Sequence, residues 1–314
     1  MKAIGITEFG GPDALQLVEL PEPQAGPGEL RIRVHAAAVN PTDVALRSRF
    51  GPYAERLRDI PPPYVPGMDA AGVVDQIGDG ASTDLTVGEH VMAIVVPSRT
   101  NGAYAEYVVV PADSVVRVPV GASDAEAASL PMNGLTARLT LDVLALRPEK
   151  HLAVTGAAGA VGGYAVQLAK ADGLHVIADA SSADEQLVRK LGADVVLPRG
   201  DDFAQHVRDN MPEGVDGLVD AALLDEKVVS AVRDGGGIAA VHDYPGERPQ
   251  GIAFHRVLVT VYARERGKLD RLREQVDAGQ LSLRVARTFP ADQAAQAHRL
   301  LEAGGIRGRI ILEF

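Results

Sequence analysis

The segment with the most chemical content is Val154-Thr155-Gly156-Ala157-Ala158-Gly159-Ala160-Val161-Gly162. The apolar run before it has the character of a buried strand, and the residues after 160 carry a helical pattern. The chain must therefore turn tightly at the junction. Small residues at 156, 157, 159 and 162 let a pyrophosphate approach the backbone and let the helix pack close to the sheet, while N–H groups at the helix start attract phosphate. A glycine trio alone is weak evidence, because a tight turn without a ligand uses the same residues. Here it stands at a strand-to-helix junction with further strand–helix alternation behind it, which points to a dinucleotide. Asp179 ends the next strand-like run, seventeen residues beyond Gly162, near the spacing of an acid that takes ribose hydroxyls. Ser181 and Ser182 follow as possible 2′-phosphate donors, but the segment offers no cation before Arg189. A carboxylate facing a 2′-phosphate at ~4 Å costs on the order of 1–3 kcal/mol after screening, so these residues lean to NADH over NADPH.

The elements that must position these groups are legible around them. Strand-like runs at 152–155, 175–179, 194–197, 218–221 and 238–241 alternate with helical patterns near 160–171, 183–191, 202–210 and 225–233. Such alternation predicts βαβ units, a parallel sheet and helices on both faces. Gly235-Gly236-Gly237 reads as a glycine run before a strand, where backbone at Gly237 can approach a cofactor closely; a plain loop is the alternative. The first third is β-rich, with runs at 30–34, 72–77, 90–96 and 105–110 between Gly, Pro and Asp. Ser123 and Glu126 form a capping-box pattern opening a helix, and Pro131 separates it from a second helix over 133–146. A strand near 281–287, a helix near 291–303 and a terminal strand over 309–314 complete the reading.

Composition narrows the function classes. The chain has 314 residues, enough for two domains, with ordinary hydrophobic and charged fractions and a net charge of −11. That charge argues against nucleic acid, which needs a basic stripe. Arg264, Arg266, Lys268, Arg271 and Arg273 do cluster, but acids at 265, 270 and 274 make the cluster a solvated helix face. No apolar run reaches membrane-spanning length, and Met1-Lys2-Ala3-Ile4-Gly5-Ile6 reads as strand rather than signal, so the cytoplasm is the expected compartment. With no cysteine, disulfides, thiolate metal sites and thiol nucleophiles are excluded. The eight histidines show no H-x-x-x-H or H-x-H spacing, and no metal site is expected.

Beyond the loop at 157–162, Gln167-Leu168-Ala169-Lys170 continues a signature that resembles the quinone oxidoreductase (zeta-crystallin-like) branch of the zinc-free medium-chain dehydrogenases/reductases, with Ala160 where the pattern has glycine. Gly11-Pro12-Asp13-Ala14-Leu15, Val39-Asn40-Pro41-Thr42-Asp43, Pro66-Gly67-Met68-Asp69-Ala70-Ala71-Gly72, Pro131-Met132-Asn133-Gly134-Leu135-Thr136-Ala137 and Leu191-Gly192-Ala193 fall in the same family's order. The resemblance covers essentially the whole chain. It implies an α/β protein: a Rossmann doubly wound parallel sheet over 119–261, and a GroES-like β-barrel substrate domain from 1–118 and 262–314.

The resemblance also implies site residues. Zinc-dependent alcohol dehydrogenases have cysteine where this chain has Asn40 and histidine where it has Met68, so neither position can anchor the usual catalytic zinc. Metal-free hydride transfer to a quinone or an enone is then implied, since the developing oxygen charge needs only hydrogen-bond donors. Asn40 is the first candidate donor, with a turn residue before Pro41 as the bland alternative; Tyr53 is the second, against a surface aromatic. By the same resemblance Asn133 and Thr136 fall at the hinge into the nucleotide domain, the threonine at a position beside the nicotinamide, with a helix-surface residue as its bland alternative. Arg309, with Arg307, resembles a basic position that can touch cofactor phosphates, with solvated arginines as the stronger alternative. Family habit favours NADPH, against the lean from Asp179. Sheet-edge pairing in the family, with the apolar, strand-like run at 257–262, implies a homodimer. Enoyl-thioester reduction, or a non-catalytic crystallin-like or RNA-binding dinucleotide protein, are the alternatives.

Overall fold

The structure, a computed structural model, describes residues 1–49, 59–246, 248–249 and 251–314. Tyr53 lies outside the described residues. The chain forms two compact units: Met1–Met132 with Tyr262–Asp277 and Ser282–Phe314, and Asn133–Val261 with Ala278–Leu281. The segment 119–132 thus packs with the first unit.

In chain order the first unit begins β1 (Lys2–Ile6), β2 (Leu15–Glu19), β3 (Glu29–Val39), α1 (Pro41–Arg47), β4 (Asp69–Ile77), β5 (His90–Ile94), β6 (Tyr107–Pro111), β7 (Val115–Arg117) and α2 (Asp124–Ala128). Then α3 (Pro131–Leu144) leads into the second unit: β8 (His151–Thr155), α4 (Ala160–Ala171), β9 (His175–Ala180), α5 (Glu185–Lys190), β10 (Val195–Pro198), α6 (Phe203–Asn210), β11 (Val215–Asp220), α7 (Glu226–Val229), β12 (Val232–Ala240) and β13 (Ala253–Arg256). The chain closes with α8 (Arg266–Asp277), β14 (Val285–Pro290), α9 (Ala294–Ala303) and β15 (Arg309–Glu313).

The first unit is built on a mainly antiparallel sheet in the order β14-β15-β3-β4-β5-β7, with β6 also on β3 and a separate β1–β2 ribbon. Along β3, Leu30, Ile32 and Val34 are buried while Arg31 and Arg33 face outward, the period-two alternation of a sheet with one packed face. These residues join Val91, Ala93, Val108, Val110 and Leu312 in one core. The expected capping box is present: Glu126 N donates to Ser123 Oγ at 3.3 Å and Ser123 N to Glu126 Oε2 at 2.9 Å.

The second unit is a six-stranded parallel sheet ordered β10-β9-β8-β11-β12-β13. Relative to the first strand β8 this is the 3-2-1-4-5-6 order of a Rossmann sheet, whose ligand crevice lies at the carboxyl ends where β8 and β11 diverge. Two expectations need correction. The helix expected over 225–233 is only the short α7, and Gly235–Gly237 lie inside β12 rather than before it. The run at 257–262, expected as a strand, leaves the sheet after Val257 N donates to Ala240 O at 2.8 Å and coils into a 3-10 turn, Val259–Tyr262. Its β-branched residues bury Val257 and Val259 from that turn and need no ladder.

Candidate functional site

In the second unit, β8 delivers the chain to Gly156, whose φ of +64° is a conformation side chains resist. Gly159 caps α4, and that helix sits hard on the turn. A Cβ at Gly162 would lie 2.3 Å from Gly156 O, inside any real contact. The backbone from Gly156 to Gly162 is therefore a tight glycine turn closely packed on the N-terminal end of a twelve-residue helix, which is the form a pyrophosphate site takes. Neighbouring strand ends are tied together beside it. Thr155 Oγ1 donates to Asp220 Oδ1 at 2.7 Å, and Asp220 also accepts from Leu224 N and Asp225 N at 3.1 and 2.9 Å. Ala157, Ala158, Ala160 and Val161 complete the loop. This geometry fits NAD(P)H.

Asp179 ends β9 as expected, yet its carboxylate is buried. Oδ1 accepts from Ala157 N at 3.0 Å, so the acid braces the glycine loop, and Oδ2 faces Arg199 Nε at 3.4 Å. Arg199 is the cation that the segment after Asp179 lacks. It arrives from the adjacent strand, because Pro198 pairs with Ala180 and Arg199 N donates to Ala180 O at 2.8 Å. With 46% of its side chain exposed, its guanidinium can serve a ligand as well as Asp179. Ser181 Oγ donates to Asp184 Oδ2 at 2.6 Å, so one of the two hydroxyls has a protein partner.

Asn133 and Thr136 stand one turn apart on α3, both buried. Gly237 is a different matter. It pairs with Gly217 and Ala253 and lies three residues short of the end of β12, away from the carboxyl edge where a cofactor binds. A Cβ there would meet Leu144 Cδ2 at 3.0 Å. Packing against α3 is thus one physical reason for a glycine at this position.

In the first unit, residues far apart in sequence converge at the end of β3. Asn40 is buried; its backbone N donates to Asp43 Oδ2 and its Nδ2 to Asp69 Oδ2, both at 2.8 Å. Arg309 Nη2 donates to both Val39 O and Asn40 Oδ1. Arg309, expected at cofactor phosphates, is therefore buried in this network, balancing Asp69. Asp69 Oδ1 also accepts from Met132 N at 2.6 Å. Asp43 accepts from Gly67 N at 2.9 Å and from the Tyr104 hydroxyl at 3.2 Å, and that hydroxyl also meets His298 Nε2 at 3.2 Å.

Burial dominates the electrostatics here. It pushes the Asp43 carboxyl up to about 7 against its backbone donors from Asn40 and Gly67, and the Asp69 carboxyl up to about 6 against the Arg309 cation. Burial, helped by the Arg47 cation, brings His298 down to about 3 and keeps it neutral near pH 7. The Tyr104 hydroxyl is raised well above its ordinary value by burial and by Asp43, and stays protonated. A zinc ion does not fit here. Asn40 and buried Met68 supply no strong ligand, and the Arg309 guanidinium already serves as counter-cation between Asn40 and Asp69. Elsewhere in this unit, His35, His90 and Asp124 come within ligating distance of one another. Sequence spacing could not reveal that cluster, since the three stand on separate elements.

A parallel sheet in Rossmann order with a pyrophosphate cradle defines the class: a dinucleotide-binding oxidoreductase fold. The chain matches the alcohol dehydrogenase GroES-like domain over residues 26–120 and the zinc-binding dehydrogenase family over residues 191–312. It is 31% identical to the 2-haloacrylate reductase of Burkholderia sp, over 98% of this chain and 97% of that one. It is 30% identical to the NADPH-dependent alkenal/one oxidoreductase, chloroplastic, of Arabidopsis thaliana, over 99% and 79%. The solved quinone oxidoreductase from Coxiella burnetii superposes with a TM-score of 0.86 at 28% identity, covering 100% of this chain and 99% of that one. The chain belongs to the medium-chain dehydrogenase/reductase family, with a GroES-like and a Rossmann domain.

Proposed function

We propose that the protein is a metal-free, NAD(P)H-dependent reductase of quinones and α,β-unsaturated carbonyls, with residues 119–261 holding the cofactor and 1–118 with 262–314 holding the substrate. The observation that supports this reading is the Asn40–Asp69–Arg309 network, which puts a guanidinium and an amide at the Asn40 position in a chain with a glycine turn of dinucleotide-binding form. When bound, the reduced nicotinamide supplies a hydride. The chain's own task is to accept the charge that develops on the substrate oxygen, for which aligned hydrogen-bond donors suffice. Oxidation of simple alcohols is disfavoured, because no Lewis acid lowers the hydroxyl pKa.

Asn40, buried between Asp69 and Arg309, is proposed as one donor. Tyr53 is the second. Asn133 and Thr136 serve the nicotinamide end, and Gly156, Ala157, Ala158, Gly159, Ala160, Val161 and Gly162 the pyrophosphate. At the adenosine ribose, Asp179, Ser181 and Ser182 act together with Arg199. The ion pair offsets the repulsion that Asp179 alone would exert on a 2′-phosphate, which shifts the preference from NADH to NADPH. The named cofactor of the Arabidopsis relative supports the same choice.

The test is turnover of a panel of quinones, alkenals, 2-haloacrylates and simple alcohols with NADH and NADPH, on wild type and Arg199→Ala. Quinone or enone reduction with a lower KM for NADPH, lost by roughly tenfold in the variant, supports the reading. Turnover confined to alcohols would overturn the function, and an NADH preference indifferent to Arg199 would overturn the cofactor choice.

A homodimer is proposed through the outer edge of the six-stranded sheet. The four-residue β13 ends it, and Leu258 and Val261 follow with exposures of 43% and 62%. An unpaired edge with apolar neighbours is an aggregation hazard that a second copy removes. Light scattering at the 33.0 kDa chain mass, rather than twice that, would refute it.

A further inference from the structure

We propose that His35, His90 and Asp124 form a site for a divalent transition metal of the zinc class, separate from the reaction chemistry. Asp124 is the first residue of α2, set by the Ser123–Glu126 capping box. Its carboxylate is shared: Oδ2 lies 2.7 Å from His35 Nδ1 and Oδ1 lies 3.0 Å from His90 Nδ1. One ligand atom from each of the three residues falls within 4.8 Å of the others.

The local fold explains how they meet. His35 sits where the β3–β4 register shifts, between the pairs Val34–Gly72 and Ala36–Ala71. Such an irregularity re-aims a side chain. His90 opens β5 opposite Val73. Two strands and a helix therefore contribute one ligand each, so the site is built by the tertiary fold and not by one flexible segment.

Two imidazoles and a carboxylate suit zinc, nickel, cobalt and copper, and leave a fourth position for water. Ligand atoms on a tetrahedral zinc with bonds of about 2.0–2.1 Å stand roughly 3.3 Å apart. The 2.7 and 3.0 Å separations run to different carboxylate oxygens, and one ligand atom from each residue lies within 4.8 Å of the others, so side-chain rotation brings the three onto one ion. His90, with 55% of its side chain exposed, leaves an entry path, and Asp124 at 17% is held firmly. The net charge of −11 favours cation approach. None of the three residues belongs to the Asn40–Asp69–Arg309 network, so occupancy should change stability and leave turnover unaltered.

The experiment titrates zinc and, separately, cobalt into chelator-stripped full-length protein. Expected are one equivalent bound, a Tm raised by about 3 °C or more at saturation, and cobalt absorption bands of a non-octahedral site. His90→Asn, at an exposed position that tolerates the change, and His35→Gln should each weaken binding at least tenfold while quinone or enone turnover stays at wild-type level. Failure to bind a stoichiometric equivalent at about 100 μM zinc, or binding unchanged in the double variant, would overturn the proposal.

Discussion

The glycine cradle and the Asn40 network solve opposite problems. The cradle is one contiguous stretch from Gly156 to Gly162, and its glycines let backbone pack on backbone where a Cβ would collide. The network gathers Asn40, Asp43, Asp69, Tyr104, His298 and Arg309 from five separate places in the chain and works by pairing buried polar and charged groups with one another. Backbone packed this closely tolerates no added atom. A buried polar network tolerates no missing one, because each group left alone carries its full desolvation cost. The two regions should therefore fail differently.

The largest effect is expected in the network. Arg309→Met keeps much of the volume but removes the cation beside Asp69 and the donor to Asn40 Oδ1. Breaking a buried pair this way costs about 3–5 kcal/mol, measurable by urea unfolding; a loss under about 1 kcal/mol would mean that Asp69 simply protonates without strain. Next comes Asn40→Ala, expected to lower kcat by roughly ten- to a thousandfold, the range of one lost oxyanion donor, with cofactor affinity nearly unmoved. Wild-type turnover would leave Asn40 as the N-cap of α1 and nothing more.

The cradle is tested by the reverse operation. Gly162→Ala adds one methyl 2.3 Å from Gly156 O, and overpacking of about 1–3 kcal/mol translates to roughly ten- to hundredfold weaker NADPH binding. Fluorescence titration of NADPH would check this, with Tm measured alongside. Unchanged affinity would show that the turn can yield and that the glycine is not required.

The same contrast explains what the sequence could and could not reveal. The cradle is local, and strand, turn and helix follow one another, so the residue types disclose it. The Ser123–Glu126 capping box is legible for the same reason. Arg199 escapes because it reaches Asp179 across a strand pairing, not along the chain. Asp69 and Arg309 fall in family-like segments, but only the fold brings them to Asn40. The runs at 235–237 and 257–262 mislead in complementary ways. Glycines that suggest a loop are inside β12, where Gly237 lies against Leu144, and β-branched residues that suggest a strand pack from a 3-10 turn.

A smaller effect separates the network by its protons. Asp43 has its folded carboxyl pushed from 3.8 to about 7 by burial, so the folded state binds a proton more tightly than the unfolded chain. Its contribution to stability is complete below pH 4 and is lost as pH rises through 7. Between pH 6 and pH 8 this amounts to about 1 kcal/mol. Asp69, raised to about 6, acts in the same direction one unit lower. Asp43→Asn should flatten the decline between pH 6 and 8 while leaving the general loss from a net charge of −11. An identical slope in the variant would place the titration elsewhere.

The smallest expected effect is none at all, and it sets the network against the His35–His90–Asp124 cluster. A chelator can act on activity only if a metal takes part in turnover. At Asn40 the positive charge facing Asp69 is the Arg309 guanidinium, fixed by its bonds to Val39 O and Asn40 Oδ1. A guanidinium does not dissociate and cannot be extracted. Quinone or enone turnover should therefore be the same before and after exhaustive chelation, at fixed temperature well below Tm. Thermal stability of zinc-loaded protein should fall on the same treatment, because there the ion ties β3, β5 and α2 together. Measured on one sample, the two readouts divide: activity lost with chelation and restored by zinc would place a metal in the reaction and remove Arg309 from its role as the permanent cation of the site.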